Sequence, residues 1–333
     1  MALIRLLCAL AVLLFFCGCT ALESGDGSRS IPLDRALVCA EQDQDRIIIM
    51  ADDRDWSKKE NLLWSWRAAG DPGIRRDHLR WFNNPDECKV VNQGKGLLIT
   101  ASGGVVALLS IPENRVIFYA RAGKNPHSAE LLPDGNIAAV SSTGGTLNLF
   151  RVPPKPEEPG YAGAPQATYP FPDAHGCVWD KARKLLWVAG ANELAAYEYN
   201  FSKDSPALKK QLSFKLENRR YLSEKYLQKL PPKWRHYFGA HDLFPVPGSR
   251  ELFLTGNFAV LKFNTVTCKF SLIGPHGAWK SISENPVDRR LVFLRPQRRW
   301  WSDTITLQGG KNFTLPGAKF YKCRWYSLND FSY

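Results

Sequence analysis

Four side chains able to ligate a metal or move a proton recur at one position of a repeated pattern. His127 opens the run His127-Ser128-Ala129-Glu130-Leu131, His175 opens His175-Gly176-Cys177-Val178-Trp179, His241 opens His241-Asp242-Leu243-Phe244, and Lys280 opens Lys280-Ser281-Ile282-Ser283. Counted from these residues, a second apolar run starts ten or eleven positions later, at Ile137, Leu185, Leu252 and Leu291. Equivalent residues of a closed repeat converge on its axis, so the four side chains are expected at one mouth of a central channel. Three imidazoles in that arrangement suit Mn, Fe, Zn or Ni when an oxygen ligand joins them. The pattern therefore raises a site for one divalent transition metal held by His127, His175 and His241. Glu130, Asp173, Asp242 and Glu41 are near enough in sequence to supply the oxygen or to orient an imidazole. Without a metal, an imidazole serves as general base and Lys280 stabilises a developing oxyanion. The plainer alternative is that each polar residue ties a turn by a hydrogen bond.

A second group is basic and aromatic. Residues 209–235 carry nine Lys or Arg against two Glu, and Tyr221, Tyr226, Trp234, Tyr237 and Phe238 lie in or beside them. Aromatic faces suit sugar stacking, and Lys and Arg suit carboxylate, sulfate or phosphate oxygens. Lys225, Tyr226, Trp234 and Arg235 are the ligand-binding residues this composition picks out, with an acidic glycan as the partner; a solvated basic loop is the alternative. Arg295, Arg298, Arg299, Trp300 and Trp301 form a second such cluster, read as a hairpin at a blade edge.

The elements that must position these residues are short strands. From His127 the chain reads as strand, Pro133-Asp134-Gly135 turn, strand, Gly144-Gly145 turn, strand. Similar units start at His175, His241 and Lys280, and two weaker ones span Ala36 to Arg67 and Glu87 to Ala122. Six units of roughly fifty residues are propeller blades. The expectation is an all-β, six-bladed β-propeller of four-stranded antiparallel blades, with seven blades as the alternative count. Ala318 to Tyr326 is a further strand-like segment, expected to add an outer strand to the last or first blade. An insertion at about residues 200–238 breaks the period, since His175 and His241 are 66 residues apart against 48 between His127 and His175. Within it Ser223 to Leu230 reads as a short helix capped by Ser223 and stopped by Pro231-Pro232, with Leu222, Tyr226, Leu227 and Leu230 on one side.

Composition agrees with a folded, core-forming chain of 333 residues: 44% are hydrophobic and 44 Lys plus Arg stand against 32 Asp plus Glu, a net charge of +12. No apolar run of about twenty residues follows the N-terminus, so several membrane spans are excluded. Residues 1–19 have the form of a signal peptide, with Arg5, an apolar stretch from Leu6 to Phe16, and Cys17-Gly18-Cys19. Phe16-Cys17-Gly18-Cys19 resembles a bacterial lipobox, which makes Cys19 the lipidated first residue; cleavage after Ala21 is the alternative. The expected organisation is a leader over 1–19, a flexible tether over 20–33 and the propeller over 34–333. The address is an exported protein anchored through an N-terminal lipid, or periplasmic or extracellular if cut after Ala21. Cys39, Cys88, Cys177, Cys268 and Cys323 remain in the body, an odd number with no zinc spacing. They read as buried small hydrophobes, with one or two bridges left open. Nucleic acid is not expected, because no motif for it is present, and the chain is expected to be a monomer.

The runs Asn125-Pro126-His127-Ser128-Ala129-Glu130-Leu131-Leu132-Pro133-Asp134-Gly135-Asn136-Ile137-Ala138, Ala174-His175-Gly176 with Trp179-Asp180, and Gly239-Ala240-His241-Asp242-Leu243 with Pro245-Val246-Pro247-Gly248 resemble a bacterial secreted β-propeller family known only as a domain of unknown function. So do Trp279-Lys280-Ser281-Ile282 and Trp64-Ser65-Trp66. The resemblance spans about Ala36 to Leu307 and implies a propeller and export, with no activity. More distant fold analogies are the propeller oligogalacturonate lyases and the bacterial arylsulfotransferases. The expected function is binding of a ligand, an acidic carbohydrate, at the channel mouth. The alternatives are a metal-assisted polysaccharide lyase or hydrolase using His127, His175, His241 or Lys280, and an envelope protein-interaction scaffold.

Overall fold

The computed structural model describes residues 31–153, 160–275 and 277–333. The leader, Cys19, most of the tether and the loop prolines Pro154, Pro156 and Pro159 lie outside the described residues. Residues 31–333 form one compact unit.

The described residues build six four-stranded antiparallel sheets arranged as a propeller, so the count is six. From the axis outward, blade 2 is Pro85–Val91, Gly96–Ala101, Val105–Ser110 and Arg115–Arg121. Blade 3 is Pro126–Leu131, Ile137–Ser141, Thr146–Phe150 and Ala167–Pro170. Blade 4 is Gly176–Asp180, Leu185–Gly190, Glu193–Tyr199 and Leu208–Lys215. Blade 5 is Asp242–Pro245, Glu251–Thr255, Val260–Asn264 and Lys269–Gly274. Blade 6 is Ser281–Glu284, Leu291–Leu294, Thr304–Leu307 and Asn312–Thr314.

Blade 1 is assembled from both ends of the chain, as Phe320–Trp325, Ala36–Glu41, Arg46–Ala51 and Leu62–Arg67. The sequence reading placed the Ala318 to Tyr326 segment on the outside of a blade; it is the innermost strand. The reason is topological. In blades 2–6 the chain steps outward from the axis, and Ala36–Glu41 enters blade 1 at the second position. The axial slot is left for the last strand, and filling it pairs the inner edge of Ala36–Glu41 and closes the ring.

Each blade packs on both faces, which explains consecutive apolar residues where a half-buried strand would alternate. Leu97 and Ile99 join the core shared with blade 1, while Leu98 between them joins the core shared with blade 3. Ile47 and Ile49 face blade 2, and Ile48 faces blade 6. Outer strands alternate or face solvent, as in Ala167–Pro170 and Lys269–Gly274.

One backbone device is repeated at the entry to the inner strands. Asn84, Asn125, Asp173, Gly239 and Ala278 all have positive φ, and each stands two residues before Asp86, His127, His175, His241 and Lys280 respectively. Gly, Asn and Asp tolerate this left-handed conformation best. Gly239 also has no room for a side chain, since a Cβ there would lie 2.0 Å from the Asn257 amide nitrogen. The turn delivers the residue two positions on to the axis.

The insertion connects blade 4 to blade 5. The expected helix is shorter than Ser223 to Leu230: it spans Glu224–Leu227, Ser223 makes no side-chain cap, and Pro232 starts a second helix, Pro232–Arg235. Proline suits a first helical turn because its missing N–H has no partner there anyway. Leu222, Tyr226, Leu227 and Leu230 do share one side and pack on the core between blades 4 and 5. Buried Asn218 holds the segment together by donating to the carbonyls of Trp234 and Tyr237, at 2.8 and 2.7 Å.

Candidate functional site

The inner strands bring six equivalent side chains to one end of the channel: Tyr321, Asp86, His127, His175, His241 and Lys280, in blade order. The histidines meet as expected. The His127 and His175 ring centroids are 4.4 Å apart and those of His175 and His241 5.6 Å. His127 Nδ1 is 2.9 Å from the Tyr321 hydroxyl, which reaches across from blade 1. His175 Nδ1 is 2.8 Å from the Asp173 carbonyl and 3.4 Å from its carboxylate. His241 Nε2 is 3.0 Å from Asn257 Oδ1, and the Lys280 ammonium is 3.2 Å from His241 Nδ1. His127, His175 and Tyr321 are buried, while His241 and Lys280 are half-buried and form the more accessible part of the ring.

The layer beneath closes the channel with charge. The Lys322 ammonium lies on the axis, 3.1 Å from Glu87 Oε2, 3.1 Å from Asp242 Oδ1 and 3.0 Å from the His127 carbonyl. Arg324 donates to both Asp242 oxygens at 2.5 and 2.6 Å and to both Glu87 oxygens at 3.0 and 3.1 Å. All four side chains are fully buried. Two cations against two carboxylates make a neutral, hydrogen-bonded plug, the form in which buried charge is tolerated. Deeper still, Lys89 pairs with Glu130 at 3.0 Å, and the Tyr333 hydroxyl donates to the other Glu130 oxygen.

Burial decides the ionisation of the ring. It holds His127 and His241 well below the ordinary histidine value, helped by the neighbouring cations, and lowers His175 as well. The imidazoles are therefore neutral near pH 7. Burial and then the Lys322 charge bring Lys280 down to about 8, which leaves it a cation at neutral pH. Burial also raises Asp86 well above the usual carboxylate range, although Gln42 and Ser102 donate to its oxygens. His127 Nε2 is buried without a hydrogen-bond partner.

Among the described residues no group of three or more His, Cys, Asp and Glu is placed to hold a metal ion. Tyr321 takes one nitrogen of His127, and the Lys280 cation stands against His241, where it would repel a second cation. Of the four carboxylates considered, Glu130 is bound to Lys89, Asp242 to Arg324 and Lys322, and Glu41 to Arg46. Only Asp173 reaches a ring histidine by its side chain.

The residues picked from the insertion divide. Tyr226 is half-buried and packs against the core between blades 4 and 5, and Lys225 is exposed. Trp234 lies against Tyr237 and Phe258, and the Tyr237 hydroxyl donates to Asp173 at 2.9 Å, so this aromatic group borders the mouth. Arg235 follows Trp234 at the end of the helix, half-buried, with its Nε unpartnered. Part of the basic charge is internally paired, because Glu217 holds Lys215, Arg219 and Arg220. On the opposite rim Trp300 is exposed and donates to Gln42, which in turn donates to Asp86.

Sequence reasoning missed Asp86, Tyr321, Lys322 and Arg324. A signal for Asp86 was present, since Asn84-Pro85-Asp86 parallels Asn125-Pro126-His127. A cysteine two residues after Asp86, His175 and Tyr321 marks the same register in three blades.

A family described as a family of unknown function (DUF6528) matches residues 2–333. The chain belongs to this family. A protein from Lactobacillus plantarum, known from its crystal structure, is similar in fold, with a TM-score of 0.51 at 13% identity over 84% of this chain and 86% of that one. Dihydro-heme d1 dehydrogenase NirN, solved in complex with DHE, gives a TM-score of 0.46 at 15% identity, over 89% of this chain and 57% of that one. At such identities the likeness concerns the fold alone. No curated protein matches the chain.

Proposed function

We propose that the protein is an exported ligand-binding propeller that takes a carboxylated carbohydrate at the ring of Lys280, His241, His175 and His127. The observation that carries this reading is the half-buried Lys280 cation set among neutral imidazoles, with the buried, unpartnered Nε2 of His127 in the same ring. A sugar acid offers what the ring lacks: a carboxylate to pair with Lys280 and hydroxyls to bond with imidazole nitrogens. Trp300 on one side and Trp234 with Tyr237 on the other supply aromatic surface for a sugar face. The export signal and lipidation of Cys19 would hold the propeller at the envelope, where acidic glycans are met.

Calorimetric titration with galacturonate and its oligomers, against the neutral galactose series, tests the reading. Binding of the acidic series at least tenfold tighter than the neutral one, lost in Lys280→Met, is the expected result. Equal binding of both series, or affinity unchanged in Lys280→Met, would overturn it. Formation of an unsaturated, ultraviolet-absorbing product from the oligomers would assign a neutral imidazole of the ring as a base and make the protein a lyase.

A further inference from the structure

Two cysteines meet at the point where the ring closes. Cys39 lies on the second strand of blade 1 and Cys323 on the inner strand supplied by the C-terminal segment. They are directly opposite in the antiparallel register, 284 residues apart in sequence, and their sulfurs are 3.2 Å apart with both side chains fully buried. The other described cysteines are placed differently. Cys88 Sγ faces the carbonyls of Val38 and Lys322, Cys177 faces Ser128, and Cys268 faces the Thr265 carbonyl.

We propose that Cys39 and Cys323 form a disulfide that staples the first and last strands of the propeller when the chain folds in an oxidising compartment. Residues directly opposite in an antiparallel pair have Cα atoms about 4.5–5.5 Å apart, inside the range a disulfide spans. The sulfurs need to approach by about 1 Å to reach bonding distance, a movement side-chain torsions supply. In the exchange, one thiol gives up its proton and attacks a disulfide donor such as oxidised glutathione, releasing one glutathione thiolate. The second protein thiol, likewise deprotonated, then displaces the other. The new S–S bond replaces the donor's, and the donor leaves as two thiols. Burial holds Cys39 well above the ordinary thiol value in the folded chain, so the exchange belongs to the stage before Phe320–Trp325 docks, when both sulfurs are accessible. The bond constrains the unfolded chain over nearly its whole length, where chain entropy makes a crosslink most effective. This inference is independent of the ligand reading.

The test uses the protein refolded with a reduced and oxidised glutathione mixture, then denatured in iodoacetamide without reductant, digested and weighed. The expected product is a peptide pair joining Cys39 to Cys323, two hydrogens lighter than the separate thiols. Reductant should lower the melting temperature of the wild type by about 5–10 °C and leave Cys323→Ser unmoved at the reduced value. If Cys323→Ser does not fold, Cys39→Ser serves, and the wild-type mass measurement stands alone. Full alkylation of both cysteines, or a crosslink from Cys88 to either, would overturn the proposal.

Discussion

The ammonium of Lys280 stands 3.2 Å from Nδ1 and 3.3 Å from Nε2 of His241, so it faces the whole imidazole and not one nitrogen. A cation at that distance is compatible only with a neutral ring, because a protonated imidazole would be a like charge with no intervening solvent. Asn257 Oδ1, 3.0 Å from Nε2, accepts a hydrogen bond from that nitrogen and fixes the tautomer, so the Nδ1 lone pair faces the Lys280 ammonium. The pair thus presents a positive charge and a neutral base side by side at the accessible edge of the mouth.

Affinity for an acidic ligand is expected to fall as pH rises through about 8, where Lys280 loses its proton. Below that value the charge is present and the attraction is full. A charge-assisted hydrogen bond corresponds to roughly a tenfold or greater change in affinity. Titrations between pH 6.5 and 9.5 should show this fall in the wild type and a flat, weak profile in Lys280→Met; a fall of equal size in the variant would count against the assignment.

Stability should decrease as pH drops below about 6.5, the ordinary histidine value. His127, His175 and His241 have folded values below it, so between the two values the unfolded state binds more protons, and unfolding is favoured as pH falls. Asp86 and Glu130 are raised and contribute with the opposite sign, which makes the difference between two proteins the cleaner readout. In thermal melts from pH 7.5 to 5, His127→Gln should lose less of its melting temperature than the wild type. A slope unchanged by the substitution would show that the ring does not titrate on unfolding.

Arg324→Met leaves Glu87 and Asp242 buried with only Lys322 between them. Removing one member of a buried ionic group costs about 3–5 kcal/mol, and urea unfolding should read a loss of that size. Adding Glu87→Gln should restore part of it, because the uncompensated carboxylate is gone and the two effects do not add. A loss under about 1 kcal/mol, the range of exposed pairs, would mean that the plug is hydrated.

Gly176, beside His175, is where the inner strands of blades 4 and 5 approach each other. A Cβ there would lie 2.6 Å from the Leu243 Cβ and 2.8 Å from its backbone nitrogen. Gly176→Ala is expected to destabilise by about 1–3 kcal/mol and to weaken ligand binding by displacing His175 and His241 relative to each other. Chemical denaturation and calorimetry on the same variant check both; wild-type stability would show that the strands separate freely.

The local repeat was legible because propeller blades are built from short-range hairpins whose turns and apolar runs are written in consecutive residues. That put His127, His175, His241 and Lys280 on one axis from spacing alone. The same reasoning found only part of the ring, because Asp86 and Tyr321 hold the equivalent position with different chemistry. Tyr226, picked for a ligand on composition, is half-buried with its ring packed against the core between blades 4 and 5.

The amino-acid order by itself determined the six strand units and the turns that aim one polar residue per blade at the axis, since these depend on neighbours a few residues apart. Tertiary structure alone decided which strand closes the ring. Placing Phe320–Trp325 at the axis brought Tyr321, Lys322 and Arg324 onto residues far away in the chain. The physical reason is that a charge inside a folded protein is acceptable only beside its counter-charge, and for Lys322 and Arg324 those partners, Glu87 and Asp242, exist only once the propeller has closed.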